Sequence, residues 1–211
     1  MKKILYSVAL AACCMGTMTS CSDFLDASNK SNVTAKQSFA TKEGLNNLVN
    51  NAYQHLQNVY AAPLFTSCFS AGTDMYADAR NKMNEALNTY ETLTPENTDI
   101  KNLYTYLYSG IRAANSVSYY AQTAQVDEKT KGQLVGEARV LAAYEYYLLV
   151  NNFGGVPIMK DFLTTADTGY PKSSAADVYA YIISELEDVI SKNVLQASTA
   201  TKGGGRISQE T

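Results

Sequence analysis

The sequence predicts an all-α fold built from antiparallel helix pairs. Three observations carry this expectation. Four segments repeat apolar residues at three- and four-residue spacings, no stretch alternates with period two, and small residues gather where helices would cross. The composition agrees: 211 residues, 46% hydrophobic and 18% charged, are enough to bury about two-thirds of the unfolded surface without a disulfide or metal. With 12 Gly and 4 Pro the chain has neither a disordered nor a collagen-like composition. Its single His leaves little material for a His-based metal centre or a Ser-His-Asp triad, and no cofactor motif is present. A net charge of −3 argues against nucleic acid as a partner.

Residues 1–20 read as a signal peptide. Lys2 and Lys3 precede an uncharged run from Ile4 to Ala12 that is too short to span a bilayer. Its removal takes the formal charge from −3 to −5, because two lysines and no acid leave. Three of the four cysteines lie in or beside this segment, the arrangement of a lipoprotein signal in which a cysteine thiol is acylated. Leu10-Ala11-Ala12-Cys13 is one candidate. Met18-Thr19-Ser20-Cys21 is favoured, because it leaves a longer apolar run and is followed by the polar start Ser22-Asp23. An ordinary secretory signal with incidental cysteines is the third reading. Cys68 is then left without a partner and is expected to be a small buried hydrophobe.

Residues 21–40, rich in Ser, Asn, Thr and Lys, read as an extended tether, and 41–211 as the helical domain. Thr41 caps the first long helix, whose stripe is Leu45, Leu48, Val49, Ala52, Leu56, Val59 and Tyr60. His55 flanks it as a packing or surface residue. Residues 61–99 are less periodic, with a short helix expected within 81–88. From Ile100 a second long helix carries Leu103, Leu107, Ile111, Ala114, Val117 and Ala121, with Gly110 allowing a close neighbour. A third runs from Glu128 to Asn152. Leu134, Ala138, Leu141, Leu148 and Leu149 form its stripe, and Val140, Tyr144 and Tyr147 a second face, so cover is expected on two sides. Glu145 interrupts the stripe, where an isolated charge is costly, and a structural salt bridge is expected there. Gly154, Gly155 and Pro157 end this helix. Ser174 and Asp177 then open a fourth as a capping box, with Val178, Tyr179, Ile182, Ile183, Leu186, Val189 and Ile190 as its stripe.

Several of these segments together resemble the RagB/SusD family of outer-membrane nutrient-uptake lipoproteins. The clearest runs from Gly136-Glu137-Ala138-Arg139 to Asn152-Phe153-Gly154-Gly155-Val156-Pro157, similar to the family's GEARFLRAYYYFxLVxxFGGVP signature, with Ala142 and Glu145 as departures. Weaker matches follow the family's order: Cys21 to Asp26, Gly72-Thr73-Asp74-Met75-Tyr76, Leu103-Tyr104 with Gly110-Ile111, and Gly205-Arg206-Ile207-Ser208. The resemblance implies a tetratricopeptide-like helical fold, incomplete at the C-terminus because family members run to about twice this length. It also implies a surface-exposed, lipid-anchored protein of the cell outer membrane. Such a protein is non-catalytic, binds an oligosaccharide or other nutrient and docks on a TonB-dependent (SusC-like) transporter.

Binding a sugar needs ring faces for its C–H surface and polar partners for its hydroxyls. With no Trp in the chain, that role falls to tyrosines outside the helical stripes. Asp74, Tyr76 and Asp78 are the ligand candidates; Tyr90 lies nearby in the same irregular stretch. A catalytic carboxylate pair, Asp74 and Asp78, is the weaker reading. A helical-repeat interaction fragment without ligand binding of its own is the alternative function.

Overall fold

The computed structural model describes residues 34–61, 63–76, 85–165, 169–197 and 205–209. Cys13 and Cys21, the signal segment and all but the last residues of the expected tether lie outside them, as does Asp78. Ala35–Thr211 forms one compact unit.

A single turn, α1 (Ala35–Ser38), stands where the end of an extended tether is expected. Phe39 just after it packs on Tyr120, ring centroids 4.8 Å apart, and the Ala40 carbonyl accepts from the Gln125 N–H. Thr41 then caps α2 (Lys42–Tyr60), its hydroxyl accepting from the Gly44 N–H at 3.1 Å. A π-helical turn, Thr66–Ser70, follows, and then α3 (Glu85–Thr89), near the expected short helix. The second long helix, α4 (Thr98–Ala121), starts two residues before Ile100. Asn97 provides the reason: its side chain accepts from the N–H groups of Asp99 and Ile100. Asp127 caps α5 (Glu128–Phe153) through the Thr130 N–H, and Ser174 with Asp177 forms the expected capping box of α6 (Ala175–Lys192).

These residues are all-α, with no strand among them. α4 lies against both α2 and α5, and α6 lies against α5. Six residues link α4 to α5, so the two run antiparallel, as in a tetratricopeptide-like pair. Leu45, Val49 and Ala52 of α2 meet Ala114 and Val117 of α4 and Ala138 and Leu141 of α5 in one core cluster. Val59, Leu107, Ile111, Tyr146, Leu149, Val178 and Ile182 form the second. Removing this much apolar surface from water is what holds helices that would be marginal alone.

Three expectations about faces do not hold. Tyr60 is exposed rather than in the α2 core stripe. The second face of α5 is uncovered: Tyr144 and Tyr147 are 39% and 47% exposed. In α6 only Val178, Ile182 and Val189 of the expected stripe are buried, while Ile183 and Ile190 are 54% and 74% exposed. The common reason is that no described element packs beyond α5 and α6 on that side.

Glu145 also departs from expectation. It is 0% exposed, and neither carboxylate oxygen has a hydrogen-bond or ionic partner. No salt bridge forms, because the side chain lies against Gly110 of α4, where the absent Cβ leaves room for it. A Cβ at position 110 would stand 1.7 Å from Glu145 Oε1. Desolvation therefore holds the carboxyl well above its ordinary pKa of 4.5, favouring the neutral form. Gly110→Ala is expected to force this packed interface apart and cost about 1–3 kcal/mol. Urea unfolding followed by circular dichroism checks this, and an unshifted midpoint would contradict the geometry.

Candidate functional site

The stretch holding two of the three ligand candidates is a tight turn after the π-helical segment. The Ala71 N–H closes that segment on the Thr66 carbonyl, and Gly72 (φ +74°) turns the chain. The Thr73 hydroxyl donates to the Ser70 carbonyl at 2.7 Å, and the Tyr76 N–H to the Thr73 carbonyl. α3 braces the turn from outside: Asn88 Oδ1 accepts from the Gly72 N–H, and the Tyr90 hydroxyl reaches the Gly72 carbonyl at 3.5 Å. A side chain at position 72 would collide with that phenol oxygen, its Cβ 2.1 Å away. Asp74 is exposed and Tyr76 half-buried on this turn. Asp74 and Tyr76 thus stand on one braced turn, an exposed carboxylate two positions from a half-buried phenol, and the Tyr90 hydroxyl reaches the same turn at Gly72 from the end of α3. Cys68, within the π-helical segment, is free and half-buried, its thiol pushed up to about 11 by burial.

The signature residues form a separate, structural constellation. Glu137 of α5 is 2% exposed and receives two parallel bonds from Arg206, Nε to Oε1 at 2.8 Å and Nη2 to Oε2 at 2.6 Å. Tyr53 of α2 donates its hydroxyl to Glu137 Oε1 at 2.7 Å and accepts from the Ile207 N–H at 2.8 Å. Arg206 also reaches Asn46 Oδ1, and its guanidinium stands over the Tyr53 ring, 5.9 Å from the centroid. Burial, ahead of the Glu137 bond, raises the Tyr53 phenol above its ordinary range. One clamp therefore ties α2, α5 and the segment 205–209 together. Beside it lies a polar cleft of about 490 Å³ lined by Asn50, Tyr53, Gln54, Gln57, Gly205 and Arg206.

Arg139, two residues after Glu137 in the signature, serves α6 instead. It donates from Nε to Glu185 Oε2 at 2.7 Å and from Nη1 to Asp188, which Lys192 also contacts. Gly154 closes α5, its N–H on the Val150 carbonyl, and the Ser173 N–H meets the Val156 carbonyl just past Gly155. The Pro157 carbonyl accepts from the Tyr108 hydroxyl at 2.7 Å, while Tyr146 and Asn115 hold Met159. The signature thus fixes a strap along α4 and α5. Glu137 and Arg206 both stand in recognisable motifs, yet nothing in the sequence pairs them: 69 positions separate them, and no periodicity spans that distance. His55 is half-buried, its Nδ1 enclosed without a partner and its pKa lowered by that burial.

Comparison with known proteins places this geometry. A family profile described as starch-binding proteins associating with the outer membrane, SusD-like, matches residues 23–200. A SusD-like protein of Formosa agariphila, P38, is 28% identical over 190 residues, 88% of this chain and 36% of its own. Surface glycan-binding protein A from Bacteroides uniformis superposes with a TM-score of 0.67 at 26% identity, covering 80% of this chain and 39% of that one. The corresponding protein from Bacteroides thetaiotaomicron, solved in complex with laminarihexaose, gives 0.63 at 22% identity, covering 80% and 36%. The chain spans little more than a third of the length of these relatives. With the match running over residues 23–200 and the same helical frame in the solved structures, the chain belongs to the SusD-like family.

Proposed function

We propose that this chain is the helical portion of a surface lipoprotein that captures an oligosaccharide and sits on a TonB-dependent, SusC-like transporter of the outer membrane, without converting its ligand. The observation that carries the reading is the shared frame with Bacteroides uniformis surface glycan-binding protein A, at 26% identity and a TM-score of 0.67. The braced loop with Asp74, Tyr76 and Tyr90 supports it locally, since a phenol face takes sugar C–H groups and an exposed carboxylate accepts hydroxyl bonds. Asp78 belongs to the same proposed site.

Laminarihexaose and starch oligosaccharides are the probes, read by calorimetry on the complete protein. Tyr76→Ala is expected to weaken binding roughly three- to tenfold, the range of one ring contact. A complete protein that binds none of a polysaccharide panel would overturn the proposal.

Anchoring is assigned to acyl chains on Cys21. No helix among the described residues is long and apolar enough to cross a membrane. Each buried CH₂ contributes about 0.8 kcal/mol, so several chains hold a protein firmly. Cys21→Ala is expected to abolish acylation in intact-mass spectra; a surviving lipid would move the site to Cys13.

A further inference from the structure

We infer that a second cleft, between α2 and α4, takes the carboxylate of an acidic saccharide on Arg112. That the ligand is a saccharide rests on the oligosaccharide capture proposed above; that it is an acid rests on this cleft alone. The cleft measures about 390 Å³, a size usual for small-molecule sites. No Asp or Glu is among the described residues that line it. In a chain of net charge −3, an acid-free cleft with an unpaired guanidinium is where a negative ligand is drawn.

Two helix faces and the strap build it. Asn51 and His55 stand one turn apart on α2, Ser109 and Arg112 one turn apart on α4, and the two faces meet because α2 packs on α4. The strap crosses α4 here: Asn115 holds the Met159 carbonyl, and Phe162 follows onto the Tyr120 ring, centroids 5.7 Å apart. Arg112 lies over the same Phe162 ring, its guanidinium carbon 5.4 Å from the centroid. Its side chain makes no hydrogen bond or ion pair among the described residues, and neither do those of Asn51 and Ser109. Asp161 shares a smaller neighbouring cleft with Arg112 without pairing with it. A guanidinium held over a ring presents its fork to a carboxylate, where two parallel charge-assisted bonds form. The Asn51 amide and the Ser109 hydroxyl suit sugar hydroxyls, and the half-buried Tyr120 ring suits a C–H surface.

The one histidine of the 211-residue chain reports on the cleft: the untagged protein has a single imidazole to follow by NMR, and it stands in the lining. Tetramers of galacturonate, glucuronate and mannuronate, each beside its methyl ester, are titrated at neutral pH. At least one acid is expected to shift the His55 resonances saturably, and its ester, which has lost the charge, to bind at least about tenfold more weakly. Arg112→Gln is expected to weaken the acid by the same factor; Arg112 is exposed, so its replacement leaves the core intact. Lys101→Gln, also exposed on α4, removes an equal charge outside the cleft and is expected to bind as the wild type does. A His55 signal indifferent to every acid would overturn the inference. So would an ester that binds equally well, or a loss in Lys101→Gln as large as in Arg112→Gln. Tyr76→Ala separates this site from the braced turn. Acid binding lost in that variant and kept in Arg112→Gln would overturn the cleft and leave oligosaccharide capture at the turn in place.

Discussion

Arg206→Ala is expected to destabilise the fold by about 3–5 kcal/mol, the cost of leaving a buried ionic partner uncompensated. Glu137 is only 2% exposed and would retain a single bond, from Tyr53. The two guanidinium bonds at 2.8 and 2.6 Å are lost, and water from the adjoining cleft restores neither the charge nor the two-pronged geometry. Arg206→Lys should recover part of the loss, since an ammonium restores the charge but not the two-pronged geometry. Urea titration of the two variants beside Glu137→Leu/Arg206→Leu separates the causes. If burial of an unpaired carboxylate is the cost, the double variant is more stable than Arg206→Ala. A loss below about 1 kcal/mol for Arg206→Ala would make the clamp no stronger than an exposed ion pair.

Glu145→Met is expected to stabilise the protein at pH 8 by about 1–3 kcal/mol, the usual penalty of an unsatisfied buried polar group. Methionine is unbranched and adaptable enough to lie against Gly110. The same site sets a pH dependence whose sign follows from linkage. In the unfolded chain the carboxyl titrates near 4.5; in the fold, desolvation holds it well above that value. Between the two values the folded chain binds the extra proton, so stability falls as pH rises. The contribution is complete below pH 4.5 and is lost progressively above it, by up to about 1.4 kcal/mol per pH unit. Glu145→Met should flatten that slope. Glu145→Gln should flatten it as well but gain less, because its amide is equally unpartnered. Midpoints at pH 5 and pH 8 check this: a wild type that loses no more stability between them than the Met variant would sink it.

Elements with their own local signals are legible in the sequence alone. Thr41, the Ser174–Asp177 box and the glycines after Phe153 mark helix ends through bonds to neighbours three or four residues away, and the sequence displays such neighbours directly. α4 begins two residues ahead of Ile100 because its start is set by the Asn97 side chain and not by the first apolar residue of its stripe. The π-helical turn at Thr66–Ser70 has no periodicity of its own to read. Faces are harder than ends. An apolar stripe says that a surface wants cover, not that cover is present, and Tyr147, Ile183 and Ile190 show the difference. Glu145 resembles half of an ion pair because a lone buried charge is costly. The fold instead avoids the charge, and only the opposing Gly110 reveals that solution. In the candidate site, motif order points to Asp74 and Tyr76, while the brace supplied by Asn88 and Tyr90 depends on contacts 16 to 18 positions apart.

The clamp also has a temporal meaning. Helix pairs formed by neighbouring segments close small loops and can assemble early, whereas the Arg206 contacts to Asn46 and Glu137 close separations of 160 and 69 residues. A bond that must wait for α2 and α5 to be docked contributes little to the folding transition state. Its strength therefore appears in the unfolding rate. Arg206 is thus expected to act as a latch: Arg206→Ala should speed unfolding and leave the folding rate almost unchanged, which stopped-flow rates in urea check.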